Sequence, residues 1–544
     1  MTLLKSWARG PTLWWLLSAL GVAVAFVFLR QGMFSDDDGH ILQLAVDAPA
    51  WRVYLDPEVY QQLSVAHYTP VVLTVYGFLL AAFGLEPLSF VVTQLLLMGA
   101  CMAMAAVWCQ RQTGQSSAGA MVLLLSIGVG SFWPMLSRFY TVHYVLGGVF
   151  CLGLLLLLQR PAQRDGPWLW AGAGVLALGA LLSKEVYVLA VPALWVWCVW
   201  RGQRGRAVAL ALACLVYAGL RWHVLSMSLG MSLQGRADVG LLADLAQLDA
   251  ATLLRFVDWY AKQHAVLLAM VAWALWRSPG RMLAYAAAAG VWVLPALAAP
   301  HALREPAQHA DRLFFAFNLA LVCAVVLVLH HKPWAERQKK WLLGALSLVS
   351  VAMAQASWSA HAQQLAQSGP LSVTRQILAA QPQGALTVLT DMAYQQGGLM
   401  RVMRVQQSHN ITITQNCGLA LERWQQGQAL WVLDAQGRRS DPKDLPARCR
   451  LWPAQAASPV VVKQAPRFVD GVLQWHLQAP EGWQLGVEFP DRAMTIGTGQ
   501  FHQRLVRPRD AEPYRVLAHR DDVWWFSEVR TMDLTSSRPT GGQR

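Results

Sequence analysis

Four residues that suit acid–base or metal chemistry follow the first apolar stretch of the chain: Asp36, Asp37, Asp38 and His40. Repulsion among neighbouring carboxylates and desolvation beside a membrane both favour a carboxyl group that takes up a proton near neutral pH, as a general base must. Carboxylates and imidazoles also bind divalent cations, which makes Mg²⁺ or Mn²⁺ the candidate cofactor. The segment predicts a general base among these carboxylates, or a metal site; a solvated acidic turn is the alternative.

A second ionisable pair, Lys184 and Glu185, lies between two apolar blocks. Ionisable residues in such a context are functional candidates, because burying a charge there is costly. The ammonium group suits a phosphate, and the carboxylate can hold the lysine in place or bind an acceptor hydroxyl. The alternative is an ion pair that only neutralises itself at a helix end.

Five further residues that suit phosphate binding lie on loops on the same predicted side of the membrane: Arg138, His143, Arg304, His309 and Arg312. Guanidinium groups bind phosphate oxygens through paired hydrogen bonds. For Arg138 and His143, anchoring at the membrane interface is the alternative.

A membrane protein has to position these residues. Of the 544 residues, 55% are hydrophobic and 14% are charged, whereas an average soluble chain is about 25% charged. Apolar blocks of roughly 18 to 22 residues recur between residues 12 and 357, and they predict about eleven transmembrane helices. Many of the Lys and Arg residues behind the net charge of +13 lie in short loops between these blocks, which indicates topology and not nucleic-acid binding.

The positive-inside rule places the basic loops and the N-terminus in the cytoplasm, so that the loop 30–87 is external. Within this loop, a bilayer crossing by Tyr68–Gly84 would place every later loop on the opposite side of the membrane. This segment therefore predicts an amphipathic helix on the membrane surface. The first apolar run, 12–29, predicts a spanning helix. A cleaved signal peptide is the alternative, because Ala23-Val24-Ala25 matches a cleavage pattern.

Beyond the predicted membrane domain, 1–358, the composition becomes mixed and polar. Residues 359–534 contain short β-type runs between Gly, Pro and Asp turns, and they predict a soluble α/β or β-rich domain. Of the eight Cys residues, only Cys417 and Cys449 lie there, and an isolated pair in an oxidising compartment predicts a disulfide. Residues 535–544 predict a disordered tail.

The order of these motifs resembles that of the GT-C integral-membrane glycosyltransferases, and within them the O-mannosyltransferase branch that carries TPR repeats. The likeness covers roughly residues 10–330, although Arg138 stands where the branch has Glu and TPR repeats are not evident. The matching motifs are Asp-Asp-x-x-x-Ile at 36–41, Tyr-x-Pro at 68–70, Gly-Leu-x-Pro at 84–87, Ser-Lys-Glu at 183–185 and an acidic residue followed by Arg at 311–312.

The resemblance implies sugar transfer from a polyprenyl-phosphate donor to a hydroxyl of a glycan, lipid or protein acceptor. It also implies a bacterial inner membrane, with catalysis and the C-terminal domain on the periplasmic side. Asp36 or Asp37 would be the base, and Lys184, Arg304 and Arg312 would contact the lipid phosphate. The other candidate substrate-binding residues are Asp38, His40, Tyr68, Arg138, His143, Glu185 and His309.

Two other functions stay open at this point. A transporter or flippase of lipid-linked saccharides would hold its ionisable residues near the bilayer midplane, often in two related halves, whereas here they gather at one predicted membrane edge. A noncatalytic cell-envelope assembly protein would use the same polar loops only to bind a partner.

Overall fold

A computed structural model gives the fold of the chain. The residues that it describes are 17–18, 21, 36–61, 63–64, 67–130, 132–160, 166–225, 249–293, 303–304, 306, 312–331, 335–367, 376–377, 380, 384–390, 410–414, 416–434, 438–453, 455–469, 472–489, 494–504 and 513–532.

The chain divides into two compact units. The helical unit comprises Met1–Phe34 and Asp47–Gln364, and the strand-rich unit comprises Ser35–Val46 and Leu365–Arg544. The segment that contains the three aspartates thus groups with the strand-rich unit, whereas the sequence assigns it to the membrane domain. The predicted division after residue 358 falls inside a continuous helix, Glu336–Gln367. The predicted disordered tail, 535–544, lies outside the described residues.

Helices follow one another along most of the first 367 residues. In chain order they are α1 (Asp36–Asp47), α2 (Ala50–Leu55), α3 (Pro57–Tyr60), α4 (Pro70–Phe83), α5 (Pro87–Thr113), α6 (Ser116–Gly128), α7 (Phe132–Ser137), α8 (Val142–Leu158), α9 (Pro167–Ser183), α10 (Ala190–Trp200), α11 (Arg204–Leu225), α12 (Ala250–Gln263), α13 (Ala265–Arg277), α14 (Pro279–Gly290), α15 (Phe315–Leu329) and α16 (Glu336–Gln367). Short 3₁₀ turns cover Phe139–Thr141 and Glu185–Tyr187.

Among the described residues, three helical stretches have both the length and the hydropathy to cross a bilayer: Pro87–Thr113, Phe139–Leu158 and Arg204–Leu225. Shorter apolar helices of 10–17 residues accompany them at Pro70–Phe83, Ser116–Gly128, Pro167–Ser183, Glu185–Trp200, Ala265–Arg277 and Phe315–Leu329. These helices are compatible with a membrane protein. The total of about eleven spans stays a prediction.

Large apolar side chains on the surface of the helical unit suit contact with lipid. Trp168 is 89% exposed, Trp276 82% and Leu348 77%. Exposed apolar surface is costly in water and marks a contact with a membrane or another apolar partner.

Helix α8 is central to the region that contains Lys184. It packs against α5 and α9, and α9 in turn packs against α11. The ends of α5 follow from local sequence. Pro87 occupies its first turn, where no backbone donor is lost, and Gly114 ends it in the left-handed conformation with φ +68°.

The described residues of the strand-rich unit form three sheets. Its strands are β1 (Ala385–Thr390), β2 (Asn410–Thr414), β3 (Ala429–Leu433), β4 (Arg439–Ser440), β5 (Arg450–Leu451), β6 (Val461–Val469), β7 (Val472–Gln478), β8 (Gln484–Phe489), β9 (Met494–Ile496), β10 (Gln500–Arg504), β11 (Pro513–Arg520), β12 (Val523–Phe526) and β13 (Arg530–Thr531). Two short helices accompany them, α17 (Cys417–Gln425) and α18 (Leu445–Arg448). The prediction of a mainly helical chain with a strand-rich C-terminal region is confirmed.

The first sheet has the order β2-β1-β3-β4, with β1 parallel to both β2 and β3, and α17 connects β2 to β3. The second sheet is antiparallel, in the order β10-β7-β6. The third has the order β5-β12-β11-β8-β9, and β13 also pairs with β11. Trp475, Val487 and Phe489 belong to the core that the antiparallel strands share.

A disulfide joins the start of α17 to the end of α18 in this unit. Cys417 and Cys449 form the bond, with their Cα atoms 6.1 Å apart, and Cys449 is fully buried. This is the pair that the sequence predicts.

Candidate functional site

Lys184 and Glu185 lie where the chain leaves one apolar helix and enters the next. Helix α9 ends at Ser183, Lys184 has an extended backbone with φ −161° and ψ 145°, and a 3₁₀ turn follows before α10. The side chains of Lys184 and Glu185 are only 10% and 16% exposed. The helix break therefore leaves two ionisable side chains largely buried, where each needs a partner.

Glu185 contacts four groups through its carboxylate. Oε2 lies 3.4 Å from Nζ of Lys184 and 3.5 Å from Nδ1 of His67. Oε1 accepts a hydrogen bond from the backbone N–H of Tyr68 at 2.6 Å and lies 3.4 Å from Nη1 of Arg221. The carboxylate thus ties the end of α9 to α11 and to the loop before α4, which fits the role of holding the lysine in place.

Buried tyrosines fix the loop that contains His67. The hydroxyl of Tyr60 donates to the backbone O of His67 at 2.6 Å and accepts from the N–H of Thr69 at 2.6 Å. The hydroxyl of Tyr68 donates to the backbone O of Tyr54 at 2.7 Å. Burial raises the pKa of Tyr60 and of Tyr68, so both phenols stay protonated as donors. Tyr68, a predicted substrate contact, therefore has its side chain bound inside the protein.

Two more residues that the sequence predicts lie near the start of α8. Nζ of Lys184 is 5.3 Å from the ring centroid of Tyr144, and the guanidinium carbon of Arg312 is 5.2 Å from that of Tyr140. His143 is 9% exposed, and the charges of both cations act on its imidazole. Lys184, Arg312 and His143 therefore lie in one region of the helical unit.

These residues form a group that we call the Glu185 cluster: His67, His143, Lys184, Glu185, Arg221 and Arg312. It contains three side chains that stay positive at neutral pH and one carboxylate, so it has a net positive charge even with both imidazoles neutral. A largely buried site with surplus positive charge attracts an anion, and Lys and Arg side chains are suited to phosphate.

An apolar cavity of about 460 Å³ lies among the helices, and residues of the cluster do not belong to its lining. Tyr187 belongs to its lining, and the hydroxyl of Tyr187 donates to the backbone O of Tyr144, the residue whose ring contacts Lys184. The volume is typical of a small-molecule site. Other side chains of the lining are Leu152, Leu194, Trp292 and Leu319.

Glycine in α8 allows the ring of Tyr187 to come close. A Cβ at Gly147 would lie 2.2 Å from Cε2 of that ring, and one at Gly148 would lie 3.1 Å from Sγ of Cys101. Only residues without a side chain permit this approach. The two glycines thus let the Tyr187 ring pack at the junction of the cluster and the cavity.

The aspartate segment belongs to the strand-rich unit and is described there by itself. Asp36 begins α1, and the side chain of Asp38 is fully buried. The side chains of Asp36, Asp37 and His40 lie outside the described residues, so their roles as base or metal ligands stay predictions. Within the described part of the chain, no group of three or more His, Cys, Asp or Glu residues is arranged to hold a metal ion.

The other predicted phosphate contacts are not brought into the Glu185 cluster by the contacts described above. Arg304 is exposed, and Arg138 is half-buried just before the 3₁₀ turn Phe139–Thr141. His309 lies outside the described residues.

His67 and Arg221 are members of the cluster that the sequence patterns do not single out. His67 immediately precedes the Tyr-x-Pro motif, and this motif is the sequence signal that could have identified it. Arg221 lies inside the apolar run 207–225, and a charged residue in such a run is rare enough to indicate function.

Comparison of the sequence with protein-family models and with curated proteins finds no match. The assignment of the site therefore depends on its geometry.

Proposed function

We propose that the protein is a membrane glycosyltransferase that moves a sugar from a polyprenyl-phosphate donor to an acceptor hydroxyl. The observation that carries the proposal is the surplus positive charge of the Glu185 cluster, which Tyr144 and Tyr187 connect to an apolar cavity. A lipid phosphate has the same two parts. Its charged group matches the cations, and its hydrocarbon chain matches the cavity.

In the proposed reaction the acceptor oxygen attacks the anomeric carbon while the bond from this carbon to the phosphate oxygen breaks. The electron pair of that bond stays on the phosphate. Lys184, Arg221 and Arg312 stabilise the negative charge that develops there, which lowers the barrier more than it strengthens binding of the donor. Asp36 or Asp37 takes up the proton of the acceptor hydroxyl as general base.

The proposed setting is a bacterial inner membrane, with about eleven spans, a cytoplasmic N-terminus and a periplasmic C-terminal domain that helps to bind a glycan, lipid or protein acceptor. Exposed apolar side chains such as Trp168 support the contact with lipid. The disulfide between Cys417 and Cys449 supports an oxidising compartment for the strand-rich unit.

Sugar transfer in membranes tests the proposal. Membranes from bacterial cells that express the full chain receive undecaprenyl phosphate linked to a radiolabelled hexose or pentose, and label transferred to acceptors is measured. Lys184→Ala is expected to lower transfer by about 10²–10³-fold, and the double variant Asp36→Asn, Asp37→Asn is expected to abolish it. Lys262→Ala is the matched control, because Lys262 forms an exposed ion pair with Asp258.

Label that stays on every donor in the wild type would overturn the proposal. Unchanged turnover in the double aspartate variant would remove the assigned base, and unchanged turnover in Lys184→Ala would remove the phosphate site. Movement of the intact donor across the bilayer, without cleavage, would identify a flippase instead. Size-exclusion chromatography of each purified variant checks that it is folded.

A further inference from the structure

His67 brings an imidazole to the Glu185 cluster in a position that the fold fixes. Its backbone N–H donates to Oγ of Ser64 at 2.9 Å, and its backbone O accepts from the hydroxyl of Tyr60. Its Nδ1 lies 3.5 Å from Oε2 of Glu185, while the side chain is still 33% exposed. The imidazole has a second nitrogen, Nε2, that can bind another group.

Charged and titratable groups from four elements lie around Glu185, the residue that this imidazole contacts. Glu185 comes from the 3₁₀ turn, Lys184 from the end of α9, Arg221 from α11 and His143 from α8. Lys184 Nζ and His67 Nδ1 approach the same oxygen, at 3.4 and 3.5 Å, so the two nitrogens are at most about 7 Å apart, a gap that a phosphate group can bridge. An anion that binds Lys184 is therefore within reach of His67.

The proposed donor and its product differ in charge at the phosphorus. A polyprenyl-phosphate sugar is a phosphodiester with one negative charge. Loss of the sugar leaves a phosphate monoester, whose second ionisation has a pKa of about 6, so the phosphate gains up to one further negative charge. Lys184 and Arg221 have the same charge before and after the reaction. Histidine, in contrast, ordinarily changes its charge between pH 5 and 8, so it can take up a proton as that negative charge develops.

We infer that His67 recognises the leaving phosphate: its imidazolium donates a hydrogen bond from Nε2 to the oxygen that receives the electron pair, and Glu185 stabilises the imidazolium. This inference rests on the proposed function. The bond between the anomeric carbon and the phosphate oxygen breaks, and its electron pair stays on that oxygen. The acceptor oxygen forms the new bond to the same carbon, and its proton goes to the general base. As the monoester charge forms, the imidazole takes up one proton from solvent, which balances the proton that the general base returns to solvent after the transfer.

Calorimetric binding of two lipid phosphates to the purified full-length protein tests this role. The probes are farnesyl phosphate, a monoester, and its methyl ester, a diester with a single charge. Titration at pH 7.5 in two buffers of different ionisation enthalpy shows whether binding takes up a proton, because the free monoester is already mostly dianionic there. The wild type is expected to take up a fraction of a proton with the monoester and none with the diester.

Three variants identify the group that takes up the proton. His67→Gln should bind the monoester roughly tenfold to hundredfold more weakly and without proton uptake, while its affinity for the diester stays within about twofold of the wild type. Glu185→Gln keeps an acceptor for the Tyr68 N–H but loses the countercharge, and it should also lose the uptake. His223→Gln is the matched control, because His223 is exposed and its Nε2 hydrogen-bonds to the backbone O of Leu55.

Monoester binding by the wild type without proton uptake would overturn the role of His67, as would equal weakening of both probes in His67→Gln. No binding of farnesyl phosphate at all would overturn the phosphate site itself. If His67→Gln does not fold, the contrast between the two probes in the wild type and the uptake in Glu185→Gln decide the question.

The sugar-transfer assay separates this inference from the proposed function. Transfer by the wild type without proton uptake linked to His67 contradicts the role of His67 alone. Monoester binding with that uptake, but without transfer from any donor, contradicts the glycosyltransferase and leaves a phosphate-recognition site in which His67 keeps its role.

Discussion

Two buried ion clusters, one in each unit, are built in opposite ways. In the strand-rich unit, Arg515 donates to Glu488 at 2.5 Å and to Glu422 at 2.6 Å, and its guanidinium carbon lies 4.1 Å from the ring centroid of Phe526. In the helical unit, Lys184, Arg221 and the imidazole of His67 lie 3.4 to 3.5 Å from the carboxylate of Glu185. The first cluster is joined by short hydrogen bonds, and the second by longer contacts with more cations than carboxylates.

The difference indicates which cluster is structural and which is made for a ligand. In the described part of the chain, Oε2 of Glu185 and Nδ1 of His143 make no hydrogen bond although both are buried. Nη2 of Arg515 is also without one, but two carboxylates already compensate that guanidinium. Oε2 of Glu185 is compensated by Lys184 and His67, which lie 3.4 and 3.5 Å away. An anion would accept hydrogen bonds from the surplus cations of the Glu185 cluster, whereas the two carboxylates around Arg515 would repel it.

Arg515→Met should give the largest change in stability. It leaves Glu488, which is 2% exposed, with a buried charge and no guanidinium, and breaking such a pair costs about 3–5 kcal/mol. Denaturant unfolding of the full chain in detergent, followed by tryptophan fluorescence, measures the effect. Arg438→Met removes an exposed ion pair with Asp434 and should change stability by less than about 0.5 kcal/mol. Equal stability of the two variants would show that the Arg515 cluster is not structural.

Lys184→Met should have the opposite profile, with a large effect on turnover and a small one on stability. Loss of one preorganised group that stabilises developing charge lowers turnover by about 10²–10³-fold. Glu185 keeps Arg221 and His67 as partners, so the fold is expected to persist. The measurement is sugar transfer beside the unfolding curve, with Lys262→Met as the exposed control. A large loss of stability at unchanged turnover would make the Glu185 cluster structural, like that of Arg515.

Removal of the disulfide tests how independent the two clusters are. Cys417 and Cys449 are 32 residues apart, and a bond that closes a loop of this size contributes about 2–4 kcal/mol. The double variant Cys417→Ala, Cys449→Ala should therefore lower the stability of the strand-rich unit while farnesyl phosphate still binds. Cys214→Ala, at a free and half-buried cysteine, is the control. Loss of farnesyl phosphate binding together with the disulfide would contradict this expectation.

Local sequence signals predict much of this fold, because hydropathy and turn residues act over short windows. The β-type runs 385–389 and 523–526 are found as the strands Ala385–Thr390 and Val523–Phe526. The parallel order around β1 does not follow from such windows. Strand pairing depends on contacts between distant parts of the chain, and β1 lies between two strands that come later in the sequence.

The predicted span 259–276 shows where local signals fail, since the structure has two helices there, separated at His264. Nδ1 of His264 donates to the backbone O of Tyr260, and Nε2 accepts from the side-chain amide of Asn318. Asn318 lies 54 positions further along the chain. A hydropathy window cannot contain a partner at that distance, so a continuous helix was the natural prediction.

The candidate site has the same limit. Lys184 and Glu185 are predictable because an ionisable pair between apolar blocks is conspicuous in sequence. His67 and Arg221 meet them only in the folded chain, one from the loop before α4 and the other from α11, 36 residues beyond Glu185. Tyr68 is predicted as a site residue, but its contribution is a backbone N–H, which every residue except proline can supply.

Gly147→Ala should give the smallest effect, and it tests whether the Glu185 cluster and the apolar cavity form one site. A Cβ at this position would lie 2.2 Å from the Tyr187 ring, so the ring has to move, and overpacking of this kind costs about 1–3 kcal/mol. The movement also disturbs the hydrogen bond from Tyr187 to Tyr144, beside Lys184. We therefore expect a lower unfolding temperature together with weaker binding of farnesyl phosphate.

Gly77→Ala is the control, because Gly77 is also helical and a Cβ there would meet nothing within 4 Å. Alanine favours the helix over glycine by up to about 1 kcal/mol, so this variant should be as stable as the wild type or slightly more stable. If Gly147→Ala loses stability but keeps full affinity for farnesyl phosphate, the Tyr187 ring does not couple the cavity to the cations. The cations around Glu185 would then bind an anion that has no hydrocarbon chain. Only a ligand whose chain occupies the cavity requires the Tyr187 ring to stay in place.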